Sequence, residues 1–458
     1  MKTIRIHLYV LLFFAVSLSF PIFSSTAADQ NNPLLEPLSM TEAIQIAVNQ
    51  NPQVKAADFQ VMAMESNSIQ ARSGFFPKID FSETFNRTTN PMWTFGTKLN
   101  QGTITQEDFD PARLNDPDAI NNFATVFSLS WSLYDGGRTK IGWEQAKKNL
   151  EVASLTLERT RQQVIAQTAA AYVGLLLAQK NIAVVNQTLE TAQANLAMIQ
   201  SRYNNGFVVK SDVLRAMVRI ADLKQQHLEA ESRVEVAKAM LNASMGSPGD
   251  KPLNPVTPFA VEEEIKGEIE DWINTALSKR LDLETLQHQE DMARKEIDKS
   301  RAGHLPDLRL LGNYEINSED FTDTADNYTI GAVLKLNIFS GYHITGKTEA
   351  AKLFLNRLQE IRRAMELGIR VQTRKAFLKA RSSWKRIQVA QTAADQAEEG
   401  LRIVKNRYNS GLLTIVGLLD AEEANQQAHT SYFKALHDYK VARIDLALAS
   451  GTIDTDFH

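Results

Sequence analysis

From Ala146 to Tyr203 apolar and small residues recur in steps that alternate four and three. The positions are Ala146, Leu150, Ala153, Leu157, Thr160, Val164, Thr168, Ala171, Leu175, Ala178, Ile182, Val185, Leu189, Ala192, Leu196, Ile199 and Tyr203, with one doubled step of four at Val164. This is a heptad seam with a single four-residue insertion, which locally unwinds a supercoil. It predicts one continuous helix over 138–203. Roughly 65 residues at about 1.5 Å each make a rod on the order of 100 Å long, deeper than any ordinary globular core.

The rod occurs twice. Ser340-Gly341-Tyr342 stands where Asp135-Gly136-Gly137 stands, and Arg407-Tyr408-Asn409-Ser410-Gly411 where Arg202-Tyr203-Asn204-Asn205-Gly206 stands, both shifted by 205 positions. The shift still holds where Leu241-Asn242-Ala243-Ser244-Met245-Gly246 meets Leu446-Ala447-Leu448-Ala449-Ser450-Gly451. Point identities between the copies are sparse, so the kept spacing is the stronger sign of duplication. Ahead of the rods come shorter helices, the first with Ser39 at its N-cap and the second opened by Asn51-Pro52. There the shift is 229, and the difference of 24 (229 minus 205) places one longer loop between Pro77 and Gly136.

Between each short helix and each rod the period changes from the helical one to two. Ile79, Phe81, Glu83 and Phe85 alternate with Asp80, Ser82 and Thr84; Phe123, Thr125, Phe127, Leu129, Trp131 and Leu133 alternate with Ser128, Ser130 and Ser132. The second copy sets Leu308, Leu310, Tyr314 and Ile316 against Asp307, Arg309, Asn313 and Glu315, then Tyr328, Ile330, Leu334, Leu336 and Ile338 against Thr329, Lys335 and Asn337. These are four aromatic-rich strands, apolar on one face and polar on the other, as in a lipid-facing, water-lined barrel. A half-buried soluble sheet shows the same alternation, but here no second layer is available to cover the apolar face.

The expected organisation is a signal peptide over 1–27, and an N-terminal periplasmic segment with the first short helix over 28–50. A first repeat over 51–245 comprises helix 51–74, strands 76–87 and 123–135 flanking an irregular extracellular loop 88–122, long helix 138–203, tip turn 204–210 and helix 211–245. A Pro-rich linker 246–267 leads to a second repeat over 268–450, with helices 268–278 and 281–302, strands 306–317 and 328–339, long helix 342–408, tip turn 409–414 and helix 415–450. A short tail, 451–458, is expected to be poorly ordered.

The signal peptide rests on Lys2 and Arg5, an apolar run from Leu8 to Phe20, and the small residues Ser25-Thr26-Ala27-Ala28. Past it, no run reads as apolar enough to span a membrane as a helix, so membrane contact falls to the strands. A net charge of -4 and a pI near 6.1 give no reason to expect nucleic acid as a partner. The absence of cysteine excludes disulfides, thiolate metal sites and a cysteine nucleophile. His227, His288 and His437 lack metal-ligand spacing, and Gly136-Gly137-Arg138-Thr139-Lys140 lacks that of a phosphate loop. No catalytic, cofactor-binding or metal-binding residue is assigned, and an enzyme is not expected.

Four strands do not close a barrel, and an open edge in lipid leaves backbone groups unpaired at several kcal/mol each. Other copies of the chain must complete the ring. About eight strands is the smallest closed count and water-filled channels need more, so three chains supplying twelve are the economical solution.

With its doubled helix-strand-strand-helix order, its Tyr134-Asp135-Gly136-Gly137 and Phe339-Ser340-Gly341 junctions and its two Arg-Tyr-Asn-x-Gly turns, the chain resembles an outer-membrane efflux protein of the TolC family from Met40 to Ser450. The resemblance implies a mostly α fold with a transmembrane β portion: a homotrimer whose 12-stranded barrel sits in outer-membrane lipid and continues into a periplasmic α-helical barrel. It implies a passive conduit for efflux or type I protein secretion, docked to a periplasmic adaptor and an inner-membrane ABC or proton-driven transporter. It also puts the tip and adaptor-docking residues at Arg202, Tyr203, Asn204, Gly206, Arg407, Tyr408, Asn409 and Gly411, and the gate acids at Asp212 and Asp420. Leu413 and Gly417 replace an Arg and an acid of the family pattern, so a latch through that Arg does not carry over. The alternative from another class is a periplasmic coiled-coil structural or adaptor protein, which usually has one hairpin and no spanning strands.

Overall fold

The structure is a computed structural model that describes residues 37–455. The expected signal peptide, the start of the N-terminal segment and the last three tail residues lie outside the described residues. In chain order the elements are β1 (Pro37–Leu38), α1 (Met40–Gln50), α2 (Pro52–Arg72), β2 (Lys78–Thr88), α3 (Pro91–Asn100), α4 (Pro111–Asn115), β3 (Ile120–Tyr134), α5 (Arg138–Asn204), α6 (Lys210–Met245), β4 (Asn254–Pro255), α7 (Ile269–Lys279), α8 (Leu281–Arg301), β5 (Asp307–Ser318), β6 (Thr324–Lys335), α9 (His343–Asn409) and α10 (Ile415–Ser450). Short 3-10 turns end α2 and α8 at Ser73–Phe75 and Ala302–His304.

Duplication is carried through helix by helix. The paired helices have equal lengths: 11 residues for α1 and α7, 21 for α2 and α8, 67 for α5 and α9, and 36 for α6 and α10. Every seam position of α5 from Ala146 to Ile199 is buried or half-buried; Tyr203 is exposed. Ser39 closes a capping box with Glu42, and Asn51 caps α2 ahead of Pro52. Contrary to the sequence expectation, α5 contains an 18-residue window as apolar as a spanning helix, with mean hydropathy 1.3. The cause is packing, since Val164, Ala169, Tyr172, Val173 and Leu175 lie in the main core with Ile44, Leu241 and Ile444.

That core also fastens the linker. The Tyr172 hydroxyl donates to the Leu38 carbonyl (2.7 Å) and accepts from the amides of Val256 and Thr257 (both 3.1 Å), beside the parallel β1–β4 pair. Tyr439 donates to the Glu263 carbonyl, and both Lys440 and Arg443 pair with Glu262. The tail is not loose where it is described, because Ile453 is buried in the same core.

The four long strands form one antiparallel sheet in the order β2-β3-β5-β6, with β2 and β6 at open edges. Register puts Phe81 opposite Phe127 and Phe127 opposite Tyr314, so one face is apolar across the sheet. Aromatic contacts also mark its two ends: Phe85, Phe123 and Phe321 stack at one, while at the other the Trp131 indole donates to the Phe75 carbonyl and Phe75 packs on Trp143. β6 stops at Lys335, four residues short of the expected 339, because β5 offers no partner beyond Asp307.

Loop 88–122 is not irregular. It holds α3 and α4, tied by Asn90 capping Trp93, by Phe95 against Phe109 and by the Lys98–Asp108 pair at 2.6 Å. Lys98, with the Thr105 amide and hydroxyl, holds the Asp108 carboxyl down at about 2. Gln101 at the end of α3 donates to the Asn121 carbonyl and the Asn122 side chain, which donates in turn to Asn317. A Cβ on Gly102 would lie 3.5 Å from Ala325 of β6. The segment leaving β2 therefore crosses the polar face from β3 to β6.

At the entry to α5, Gly136 and Gly137 both have positive φ, 72° and 83°. A Cβ on Gly136 would meet Leu305 Cβ at 2.8 Å, whereas Gly137 faces open space and its counterpart Tyr342 holds φ 63° with a full side chain. We expect Gly137→Ala to cost about 1 kcal/mol, the left-handed penalty alone, and Gly136→Ala to lower the thermal unfolding midpoint clearly further; equal losses would refute the clash.

Candidate functional site

Each rod ends in the same turn because each ends in the same sequence. Phe207 N–H donates to the Arg202 carbonyl and Gly206 N–H to that of Tyr203, both at 2.9 Å; Leu412 and Gly411 repeat this onto Arg407 and Tyr408 at 2.9 and 3.0 Å. This six-to-one, five-to-two pair stops a helix with a left-handed residue, and Gly206 and Gly411 supply it at φ 76° and 74°. Asn204 and Asn409 are the last helical residues and are exposed. At the apices Phe207 and Leu412 are 80% and 73% exposed.

The structure brings the two predicted turns together. Arg202 donates to the Tyr408 carbonyl at 3.0 Å and to the Asn409 carbonyl, with its guanidinium 5.2 Å from the centre of the Tyr408 ring. Tyr408 is 3% exposed, in a small core with Ile199, Val213, Ala216, Ile415 and Leu418, and its hydroxyl has no hydrogen-bond partner. Burial pushes that hydroxyl's pKa up, with Asp212 as a nearby negative charge. Tyr203, by contrast, is 38% exposed, and Arg407 is exposed. Asp212 lies half-buried in the first turn of α6, and Asp420 is exposed on α10.

Behind the turns lies a polar brace that sequence reasoning did not single out. Glu422 of α10 is 2% exposed, accepts from the Asn195 side chain of α5, and leaves its other oxygen without a partner. Arg219 of α6 donates to Gln426 at 2.7 Å, and Gln426 donates to Gln226 at 2.7 Å. Burial pushes the Glu422 pKa up against the Asn195 hydrogen bond and the charges of Arg219 and Lys405. The available signal was spacing: Ile415, Leu418 and Glu422 continue the three-four seam, so a carboxylate occupies a core position.

The model of the outer membrane efflux protein family matches residues 43–247 and 272–452. The chain belongs to the outer membrane efflux protein family. Among its relatives, the alkaline protease secretion protein AprF of Pseudomonas aeruginosa is 25% identical over 440 residues, covering 91% of this chain and 85% of that protein. The outer membrane protein TolC of Vibrio cholerae is 23% identical, covering 94% and 95%. Among solved structures, the CmeC outer membrane channel of Campylobacter jejuni superposes with a TM-score of 0.73 at 18% identity, covering 91% of this chain and 87% of that one. VceC of Vibrio cholerae gives 0.72 at 17%, covering 90% and 96%. This efflux-family protein is an outer-membrane protein, in a family of channels rather than enzymes.

A carboxyl whose pKa is raised on folding contributes stability below its unfolded pKa, and loses it as pH rises through the folded one. Glu422→Gln is therefore expected to stabilise the protein near neutral pH by about 1 kcal/mol, the cost of a buried group short of partners. In acid the gain should vanish. Thermal unfolding across pH checks both, and a gain that is independent of pH would contradict them.

Proposed function

We propose that three copies of this chain form a passive channel that conducts cargo from a periplasm-spanning pump to the cell exterior. One observation carries the reading. The membrane-facing sheet has two open edges, β2 and β6, and no strand among the described residues pairs with them there. In hydrocarbon each unpaired N–H or C=O on those edges costs several kcal/mol, so the sheet is completed by further copies. The polar face then lines water, and the helices continue the duct through the periplasm. The crossing of that polar face by the α3 segment narrows the outer mouth in this arrangement.

The two turns are the docking tip. Phe207 and Leu412 present apolar side chains at the apices, beside Arg202, Tyr203, Asn204, Arg407 and Asn409, and a periplasmic adaptor is the partner such a surface fits. The energy source is an inner-membrane ABC or proton-driven transporter. Relatives named for secretion of proteases favour type I secretion of a protein as the cargo route, while a relative named for pyoverdine export keeps small-molecule efflux as the second reading. Asp420, exposed on α10, acts as a gate acid with Asp212; three copies would form a ring of like charge that attracts cations.

Purified protein is expected to run as a heat-resistant trimer and to give discrete conductance steps in a planar bilayer. A stable monomer that leaves the bilayer silent would falsify the channel. Asp420→Ala should raise conductance or abolish block by a multivalent cation; with both unchanged, Asp420 has no place in the gate.

A further inference from the structure

The repeats match helix for helix but differ between their strands. β5 and β6 are joined by residues 319–323, whereas β2 and β3 are joined by residues 89–119, which hold α3 and α4. The added segment lies on the sheet. Gln101, 5% exposed, donates to the Asn121 carbonyl at 2.7 Å and to the Asn122 side chain at 2.9 Å, and Asn122 donates to Asn317 of β5. Ala124, Asn317 and Ala325 form one row across the polar face, and Gly102 stands over Ala325. Ala124 and Asn317 are buried there, while Ser130 and Asn313, farther along the same face, are exposed. A segment present in one repeat alone therefore covers the outer end of the wall that is otherwise open to water.

Its bonds are unequally distributed. Within the segment, Lys98 pairs with Asp108 at 2.6 Å, and Asp108 also accepts from the Thr105 amide and hydroxyl at 2.8 and 2.9 Å. Arg113 pairs with Glu107 at 2.9 Å, and the Phe95 and Phe109 rings meet edge to face. Such ties hold α3, α4 and the turn between them together as one piece. Toward the sheet the grip is polar, and among the described residues none of 89–119 joins an apolar core. Gln101 leaves its Oε1 buried without a partner. Water can replace the amide hydrogen bonds on release, and it also supplies that oxygen, so lifting the segment loses little.

We infer that residues 89–119 are a movable strap that sets the width of the outer mouth. Seated through Gln101, the strap passes ions, small solutes and at most a single extended chain; released, it swings as a unit about its two ends and admits wider cargo. The inference rests on the closed-ring reading above and adds the element that decides what leaves. Twelve strands spaced about 4.8 Å and tilted about 45° enclose a backbone circle on the order of 25 Å across. A helix with its side chains is about 10 Å thick, so three seated straps leave a gap on the order of 5 Å, close to the spacing of neighbouring extended chains.

The chain contains no cysteine, so Ser130→Cys is a lone reporter on the polar wall. It lies six residues, about 20 Å, along β3 from Ala124. Intact cells carrying the full chain in the outer membrane are treated from outside with a small maleimide, or with one bearing a poly(ethylene glycol) chain too large for general porins. The small reagent should label the reporter and the large one only slowly. Replacing 89–119 by the sister turn Glu319–Asp323, which already closes β5 and β6, should make the large reagent fast. Gln101→Ala should speed it on the order of tenfold, by loss of two hydrogen bonds. A Cβ on Gly102 would lie 3.5 Å from that of Ala325, within disulfide range, so oxidised Gly102→Cys/Ala325→Cys pins the strap down and should slow the large reagent below the parent. Equal rates in parent and strapless protein would show that the strap restricts nothing. A lock that matches the parent, or whose disulfide does not form, overturns the movement or the seat. If even the small reagent fails to label Ser130→Cys, the wall is not water-lined and the channel reading falls; if it labels and the variants behave otherwise, this inference alone falls.

Discussion

An unpaired backbone group in hydrocarbon has no water to turn to, and that constraint governs this molecule more than any side chain does. β2 and β6 each carry a row of such groups on strands 11 and 12 residues long. Two apolar-faced, open-edged strands are acceptable in lipid only when each finds a partner along its length. The proposed completion of the sheet by further copies follows from that. The helices contribute reach: at 67 residues each, α5 and α9 run about 100 Å from the sheet to the turns.

Duplication preserved what such a ring needs and released the rest. Helix lengths match to the residue, because an inequality in any pair would tilt one repeat against its neighbour. Side chains were free to diverge wherever a local solution served. Gly137 and Tyr342 hold the same left-handed backbone with no side chain in one copy and an aromatic one in the other. The brace of Asn195, Glu422, Arg219 and Gln426 has no counterpart in the shifted positions, since Gly400 and Met217 stand where a second Asn195 and Glu422 would be. The Arg-Tyr-Asn-x-Gly turns kept both their sequence and their backbone hydrogen bonds, although Tyr408 is buried and Tyr203 exposed.

What the sequence disclosed was what periodicity encodes. The three-four seam located α5 and its buried face, alternation located all four strands, and Ser39 and Asn51 announced their caps. What stayed hidden depended on partners distant in sequence. β6 is shorter than its alternation because pairing, not pattern, ends a strand, and β5 offers it no partner beyond Asp307. Loop 88–122 looked irregular because Asn90, Pro91 and Pro111 read as turn formers, whereas here they open helices. Ile453 looked like part of a tail until the core around Ile444 gave it a site. At the turns, repetition picked out the Arg and Tyr residues, but which Arg meets which Tyr depends on the packing of chain segments some 200 residues apart.

Some buried polar atoms along the rods are fully satisfied and others are not, and the exceptions are spread along their length. In the main core the Tyr172 hydroxyl serves three backbone partners and fixes the linker to α5. Unpartnered buried atoms occur near the turns, at Tyr408 Oη and Glu422 Oε2, and beside that same core, at Thr168 Oγ1 and Asn242 Oδ1. A buried polar atom short of a partner costs about 1–3 kcal/mol, so a rearrangement that admits water to one of them recovers energy, while one that breaks the three hydrogen bonds of the Tyr172 hydroxyl loses it.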